Sequence, residues 1–556
     1  MDEFFCVYCS SLFVQGLLLL VSYIKVGMVS FSSVDLLYDD VLSIVFQNLS
    51  LQDRIIAACA RKSWLRVAEN TTNCNDSITF EANGIQKMHQ ATQSPFFKQV
   101  TNVEFLFEGD MQDAFTQNIW LPAIAESMES TTHIQHLNLN FLDVYSMNEE
   151  GERDQEGLAL ALTQGFRNNH SIKSIRSNGN HLSEKNVEAV ALLIKQNLLL
   201  ESLEISICRI NPKGIKDIAK SINMCHSLTR LKMESNKMDN QGVIFLCQEI
   251  VNHPTLTSLQ LGHNEIGTDG IKFLADTLFR HNKVLTTIDL SDNLICEDNI
   301  GILTEPLRYI ESLNVSFNRI GPRGITIMSD ILKNKPSKTV TSLYLSGTDM
   351  GPEGTKSIVD FALHTKSIKS LHVGGNQIGS TGVIEIAKLI QTNQQNFKEL
   401  DIHSNELLPQ DVIVLSSALN NNKHLSTFNI SSTDIKEYHC IEALSKAFKS
   451  NPSLTTLNLS FNKIGSTGVQ ILIDHIRQHP SIARLDLSWC DIGESSAKIL
   501  IDYIKDTSTL TDLYLTCNPI ESNYINSLVD PLECNKSISK LTIRLCEIDE
   551  RRQALL

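Results

Sequence analysis

"LTTLNLSFNKIGSTGVQILIDHIRQHPS", residues 454–481, holds two periodicities in one short run. In its first half Leu457 and Leu459 alternate with polar residues, the two-residue period of a strand with one buried face. In its second half Val469, Leu472, Ile473 and Ile476 recur at helical spacing and share one side. The unit is strand, turn, helix, and it is too small to bury its own apolar side. It also returns. Counted from its first apolar residue, it starts at Ile134, Ile172, Leu200, Leu228, Leu256, Leu285, Ile310, Val340, Ile368, Phe397, Leu425, Leu454, Ile482, Leu510 and Ile538, with steps of 25 to 38 residues and most often 28. A weaker copy begins at Val100. A chain of 556 residues exceeds one ordinary core. In-register copies make it an array that grows along one axis, each unit burying its face on the next.

Each copy follows Leu-x-x-Leu-x-Leu-x-x-Asn-x-Leu. The ninth position is Asn at Asn180, Asn236, Asn264, Asn293, Asn318, Asn376, Asn405, Asn462 and Asn518, with Cys208, Cys490, Cys546, Thr348 and Thr433 elsewhere. A buried amide there can satisfy backbone groups of the tight turn after the strand, which gives those cysteines a structural role. "GGNQIG" at 374–379 is the same turn, because the surrounding strand and helix order does not match a nucleotide-binding unit. The pattern resembles the leucine-rich repeat, and its length and Asn-x-Ile-Gly turn are similar to the ribonuclease-inhibitor-like subclass. The resemblance implies an α/β solenoid, a horseshoe of about 15–16 repeats with a concave parallel sheet and convex helices. Two irregularities interrupt it. "SMNEEGERDQEG" at 146–157 stretches the first copy with an acidic loop, and the 25-residue step after Leu285, containing Pro306, predicts a shortened helix.

The formal net charge is −15 and Lys and Arg form no cluster, which argues against nucleic acid and leaves basic proteins as the favoured partners. Thirteen dispersed cysteines read as reduced thiols and predict a cytoplasmic or nuclear protein. No nucleophile–base order, metal-ligand spacing or phosphate loop stands outside the repeat positions, so no enzyme, catalytic residue, cofactor or metal is expected. His133 and His136 lie three apart in a strand and point to opposite faces. Residues 1–30 form an apolar extension whose stretch at 4–24 is long enough to span a bilayer, although Asp2 and Glu3 do not suit a secretory signal. An upstream arm and a membrane segment both fit it.

"LLYDDVLSIVFQNLSLQDRIIAACARKSW", residues 36–64, belongs to no repeat. Helical spacing divides it into three short helices, the second capped by Ser50. It resembles an F-box, on Leu37, Asp39, Asp40, Val41, Leu42, Val45, Phe46, Leu49, Leu51, Asp53 and Trp64. It departs from that family at Tyr38, where Pro is usual, and at Ala60 and Arg61. The resemblance implies a small all-α module at 34–70 in which Leu37, Tyr38, Val41, Leu42, Val45, Phe46, Leu49, Leu51 and Trp64 bind the Skp-family linker of a cullin ubiquitin ligase. The alternative is that these helices cap the front of the solenoid. Residues 71–133 then read as linker and N-terminal cap with the degenerate copy, and 134–556 as the solenoid.

Positions five, seven and eight of each copy lie between the buried strand residues, on the inner face. In the C-terminal half they include Tyr344, His372, Asp401, His403, Phe461, Asp486, Trp489 and Tyr514, an aromatic-rich set suited to protein docking. In the N-terminal half they include Glu204, Lys232, Glu234 and Gln260. The expected protein is a monomeric, non-catalytic substrate receptor of an SCF-type ligase that holds its substrate on this face. A ribonuclease-inhibitor-like scaffold or regulator, such as a GTPase activator, actin regulator or immune sensor, is the second reading.

Overall fold

The computed structural model describes residues 77–81, 92, 100–106, 124–129, 131–140, 157–180, 182–334, 340–520 and 527–543. They fall into two compact units, one running to Met238 and including His253–Leu256, the other comprising Asp239–Asn252 and the chain from Thr257 onward. In the first, β1 (Ser77–Glu81), β2 (Asn102–Leu106), β3 (His136–Asn138), β4 (Ser174–Arg176), β5 (Ser202–Glu204) and β6 (Arg230–Lys232) pair in parallel, each with the next. In the second, the same holds for β7 (Ser258–Gln260), β8 (Thr287–Asp289), β9 (Ser312–Asn314), β10 (Ser342–Tyr344), β11 (Ser370–His372), β12 (Glu399–Asp401), β13 (Thr427–Asn429), β14 (Thr456–Asn458), β15 (Arg484–Asp486), β16 (Asp512–Tyr514) and β17 (Lys540–Thr542). The repeats of the array are therefore strand and helix in alternation, and β1 precedes the first copy read from the sequence.

The strands span only three residues from β3 onward, because each copy needs just one inward residue between two outward ones. That middle residue, such as Leu457 in β14 or Leu485 in β15, is buried, and burying a leucine contributes about 2 kcal/mol. The helix Gly465–Ile476 turns Val469, Leu472, Ile473 and Ile476 inward to meet it. Gly468 on this helix leaves room for the neighbouring Ile441, which a Cβ there would strike. The short step after Leu285 is met by an eight-residue helix, Glu297–Thr304, against thirteen in the next copy, Gly321–Lys333.

Position nine joins copies to one another. Asn462 donates through Nδ2 to the carbonyls of Leu459 in its own copy and Ile430 in the preceding one, both at 2.9 Å. Its Oδ1 accepts the backbone N–H groups of Thr433 and Ile435 at 3.1 and 3.0 Å. Four backbone groups that no ladder reaches are thereby satisfied by one side chain. Cys490 reproduces part of this, its Sγ 3.3 Å from the Leu459 carbonyl one copy earlier. Burial pushes that thiol up to about 12, so it stays a protonated donor. Thr433 is shorter: its Oγ1 donates to the Ile430 carbonyl of its own copy at 2.9 Å, with Asn462 Oδ1 of the next copy at 3.3 Å.

A second polar ladder runs three residues before most of the first apolar positions, with Leu307 before Ile310 an exception, and the sequence pattern did not announce it. Asn422 donates to the Ile390 carbonyl one copy back and accepts from the N–H groups of His424 and Leu425, all at 2.9 Å. His479 takes the equivalent place: Nε2 lies 2.9 Å from the Asn451 carbonyl, while Nδ1 accepts from Ser481 and Ile482. Burial pushes the imidazole's pKa down, which keeps it neutral and able to accept.

Candidate functional site

A parallel sheet is normally covered on both faces. In the second unit the residues flanking the buried strand residues stay partly exposed, apart from Ser370 and Asp401, so the sheet presents a free face whose side chains are set by register. Tyr344, His372, Asp401, Asn429, Asn458, Asp486 and Tyr514 are successive neighbours on β10–β16. His403 follows two residues after β12, and Phe461 and Trp489 three residues after β14 and β15. The eight residues singled out from the sequence thus occupy one unit, but they form two environments.

The first is a buried charge cluster. His372 lies with Nδ1 3.3 Å from Asp401 Oδ2 and Nε2 3.3 Å from Glu399 Oε1, with the Tyr344 ring stacked on it at 4.4 Å. Asp401 also accepts from His403 Nδ1 at 2.7 Å. Burial alone would lower the imidazole's pKa, but the hydrogen bonds and charge of Asp401 and Glu399 outweigh it and raise it to about 9. Burial likewise works against the Asp401 carboxylate, and the two histidines nevertheless hold it below the usual carboxylate range. The His372 hydrogen bond holds Glu399 low as well. The ring of His403 packs over Gly374, where a Cβ would collide with it.

Ser370 Oγ sits 3.0 Å from His372 Nε2, so hydroxyl, imidazole and carboxylate stand in the order used by nucleophilic hydrolases. The chemistry is turned elsewhere. Ser370 donates to Glu399 Oε2 at 2.8 Å and is 5% exposed. His372 at neutral pH already carries the proton that a general base would have to accept. The cluster is an ion-pair network that stiffens the face. Glu399 and Ser370 were not among the residues singled out; position three shares the face of position five by strand alternation, and that signal would have found them.

The second environment is aromatic. Position eight adopts a left-handed backbone throughout this unit, with φ +63° at Gly347 and +60° at Gly375. Glycine suits that conformation, yet Phe317, Phe461 and Trp489 hold it at φ +58°, +56° and +56°. Bulky residues there are strained by about 1 kcal/mol or more. Phe461 and Trp489 stack on each other, centroids 5.4 Å apart and planes 13° apart, while staying 55% and 52% exposed. In the first unit position eight holds Gly179, Ile207 and Ser235, so Ile207 is also bulky, left-handed at φ +61° and 55% exposed, but among the described residues the row contains no aromatic pair. At positions five and seven of that unit Lys232 meets Glu204 and Glu234 at 4.0 and 3.1 Å, and Arg176 meets Glu204 at 3.4 Å.

A family profile described as Leucine Rich repeat matches residues 225–247, 252–275, 307–326, 337–359, 364–387 and 450–472. The chain carries leucine-rich repeats. Among curated proteins, these repeats are similar to NACHT, LRR and PYD domains-containing protein 13 of Homo sapiens, 26% identical over 199 residues, covering 35% of this chain and 19% of that protein. Protein 14 of the same series in Mus musculus is 29% identical over 135 residues, 24% of this chain and 13% of its own. The chain thus spans less than a fifth of either relative. Among solved structures, Rad7 in the yeast Rad7 and Elc1 complex is similar at a TM-score of 0.44 and 17% identity, covering 69% of this chain and 93% of that one. The leiomodin-1 actin-binding site 2 is similar at a TM-score of 0.25 and 18% identity, over 27% of this chain and 87% of that one.

The F-box-like segment, with Leu37, Tyr38, Val41, Leu42, Val45, Phe46, Leu49, Leu51 and Trp64, and the apolar stretch at 4–24 lie outside the described residues. Among the described residues no helix is long and apolar enough to cross a membrane, and no group of three or more His, Cys, Asp or Glu could hold a metal ion.

Proposed function

We propose that this chain is a non-catalytic substrate receptor of a cullin-type ubiquitin ligase, with the 36–64 segment docking the Skp-family linker and the repeats holding a protein on the β14–β16 part of the free face. The observation that carries the docking half is the exposed Phe461–Trp489 pair, two large rings kept at a backbone position where glycine is the cheaper residue. The ligase half rests on the F-box-like spacing from Asp53 to Trp64.

One pull-down of the full chain tests both halves. Changing Leu42, Phe46 and Trp64 to Ala should remove linker and cullin while leaving the repeat-bound protein in place. Trp489→Gly should do the reverse, weakening capture at least tenfold, and should leave stability within about 0.5 kcal/mol because it relieves left-handed strain. Capture that survives Trp489→Gly contradicts the docking half. Wild-type chain that brings down neither linker nor cullin contradicts the ligase half. The second reading, a repeat scaffold or sensor without a ligase role, draws on the NACHT, LRR and PYD relatives, whose names join such repeats to other domains.

A further inference from the structure

Among the described residues, the free face between β14 and β16 holds a carboxylate, Asp486, without a cation and a stacked pair of exposed rings. Asp486 Oδ1 accepts the backbone N–H of Ser488 at 2.9 Å. Among the described residues no Lys, Arg or His nitrogen comes within 4.0 Å of its carboxylate. Its surroundings are already matched. Arg484 faces Asp512 at 3.9 Å, Lys436 and Lys463 answer Asp434, and Lys540 Nζ stands 5.1 Å from the centroid of Tyr514. That last contact is the chain's own instance of a cation on an aromatic ring of this face, one strand from Asp486.

We propose that the Asp486, Trp489 and Phe461 corner takes an arginine side chain from the bound protein, the guanidinium pairing with Asp486 and its plane lying on the stacked rings. This rests on the docking reading above and names the chemistry it recognises. A guanidinium fits better than an ammonium because it is planar, presents paired N–H donors to a carboxylate and is weakly hydrated, so it stacks on an aromatic surface at little desolvation cost. The net charge of −15 draws basic partners toward the chain in general, and the lone carboxylate beside the rings gives that attraction a place.

The test titrates the full chain with a fluorescein-labelled dodecapeptide of alternating Gly and Arg, and with the same peptide carrying citrulline or Lys in place of Arg. The arginine peptide is expected to bind at least tenfold more tightly than the citrulline peptide and about threefold more tightly than the lysine peptide. Asp486→Asn should remove the preference for Arg over citrulline, whereas Asp269→Asn, which deletes the same charge from an exposed helix position, should leave it. Equal affinity for Arg and citrulline, equal affinity for Arg and Lys, or equal effects of the two Asp variants overturns the assignment. If Trp489→Gly abolishes protein capture while Asp486→Asn changes nothing, the arginine inference fails and the docking reading stands; if Trp489→Gly also changes nothing, both fail.

Discussion

Asn462→Ala is expected to destabilise the second unit by about 3 kcal/mol or more, an effect out of proportion to a small polar truncation. The side chain holds the N–H groups of Thr433 and Ile435 and the carbonyls of Ile430 and Leu459, all in buried surroundings. The carbonyls keep a donor in Thr433 Oγ1 and Cys490 Sγ, so the loss falls on the two N–H groups, each of which costs about 1–3 kcal/mol when buried without a partner. Both belong to the turn of the preceding copy, so the damage reaches across the interface on which an array depends. Amide hydrogen exchange is the suitable measurement, because a long array need not unfold as one step. The Thr433 and Ile435 amides should lose protection in the variant. Asn462→Thr should cost less, since Thr433 and Thr348 show that a threonine still bonds a carbonyl of its own copy. Undiminished protection in Asn462→Ala would show that the amide merely decorates the turn.

Asp401→Ala should cost about 2–3 kcal/mol at neutral pH, because it strips the half-buried His372 imidazolium of one partner and leaves His403 without its acceptor. Glu399 remains, which keeps the loss below that of a fully orphaned charge. The same cluster sets a pH dependence. His372 has its folded pKa raised to about 9, so its stabilising contribution is complete below the ordinary histidine value of about 6.5 and fades as pH rises toward 9. Asp401 has its folded pKa depressed, so its contribution is present above the ordinary value of about 3.9 and is lost as pH falls below it. Urea midpoints measured at pH 6, 8 and 10 should decline for the wild type across that range and change much less for Asp401→Ala. Parallel declines in the two proteins would place the titrating group elsewhere.

How far these features could be read in advance follows from what sets them. The parallel strands, the buried leucines and the ninth-position asparagines are legible because their partners lie one period away and bear the same residue types. The second ladder is not. Its members include Asn282, Asn422, Asn451 and Asn535 but also His253 and His479, all reaching a carbonyl one copy back, and the change from amide to imidazole hides that common geometry. His372 could be placed on the free face by alternation, but its charge state could not, since that depends on Glu399 and Asp401 from the next strand. The strain at Phe461 and Trp489 also lies beyond pattern reading, because φ is not written in composition. Its sequence trace is Gly179, Gly347 and Gly375 at the same position in other copies.

The proposed docking surface is the aromatic and acidic stretch of β14–β16. Hydroxyl-radical footprinting of the full chain, free and with its captured protein, reads this directly, because Phe461, Trp489 and Tyr438 are all exposed, with only the first two on that surface. Reactivity of Phe461 and Trp489 should fall several-fold on capture while Tyr438, in the helix Tyr438–Ser450, stays as reactive as before. Protection of Tyr438 with Phe461 and Trp489 unchanged would place the partner on the helices and contradict the account.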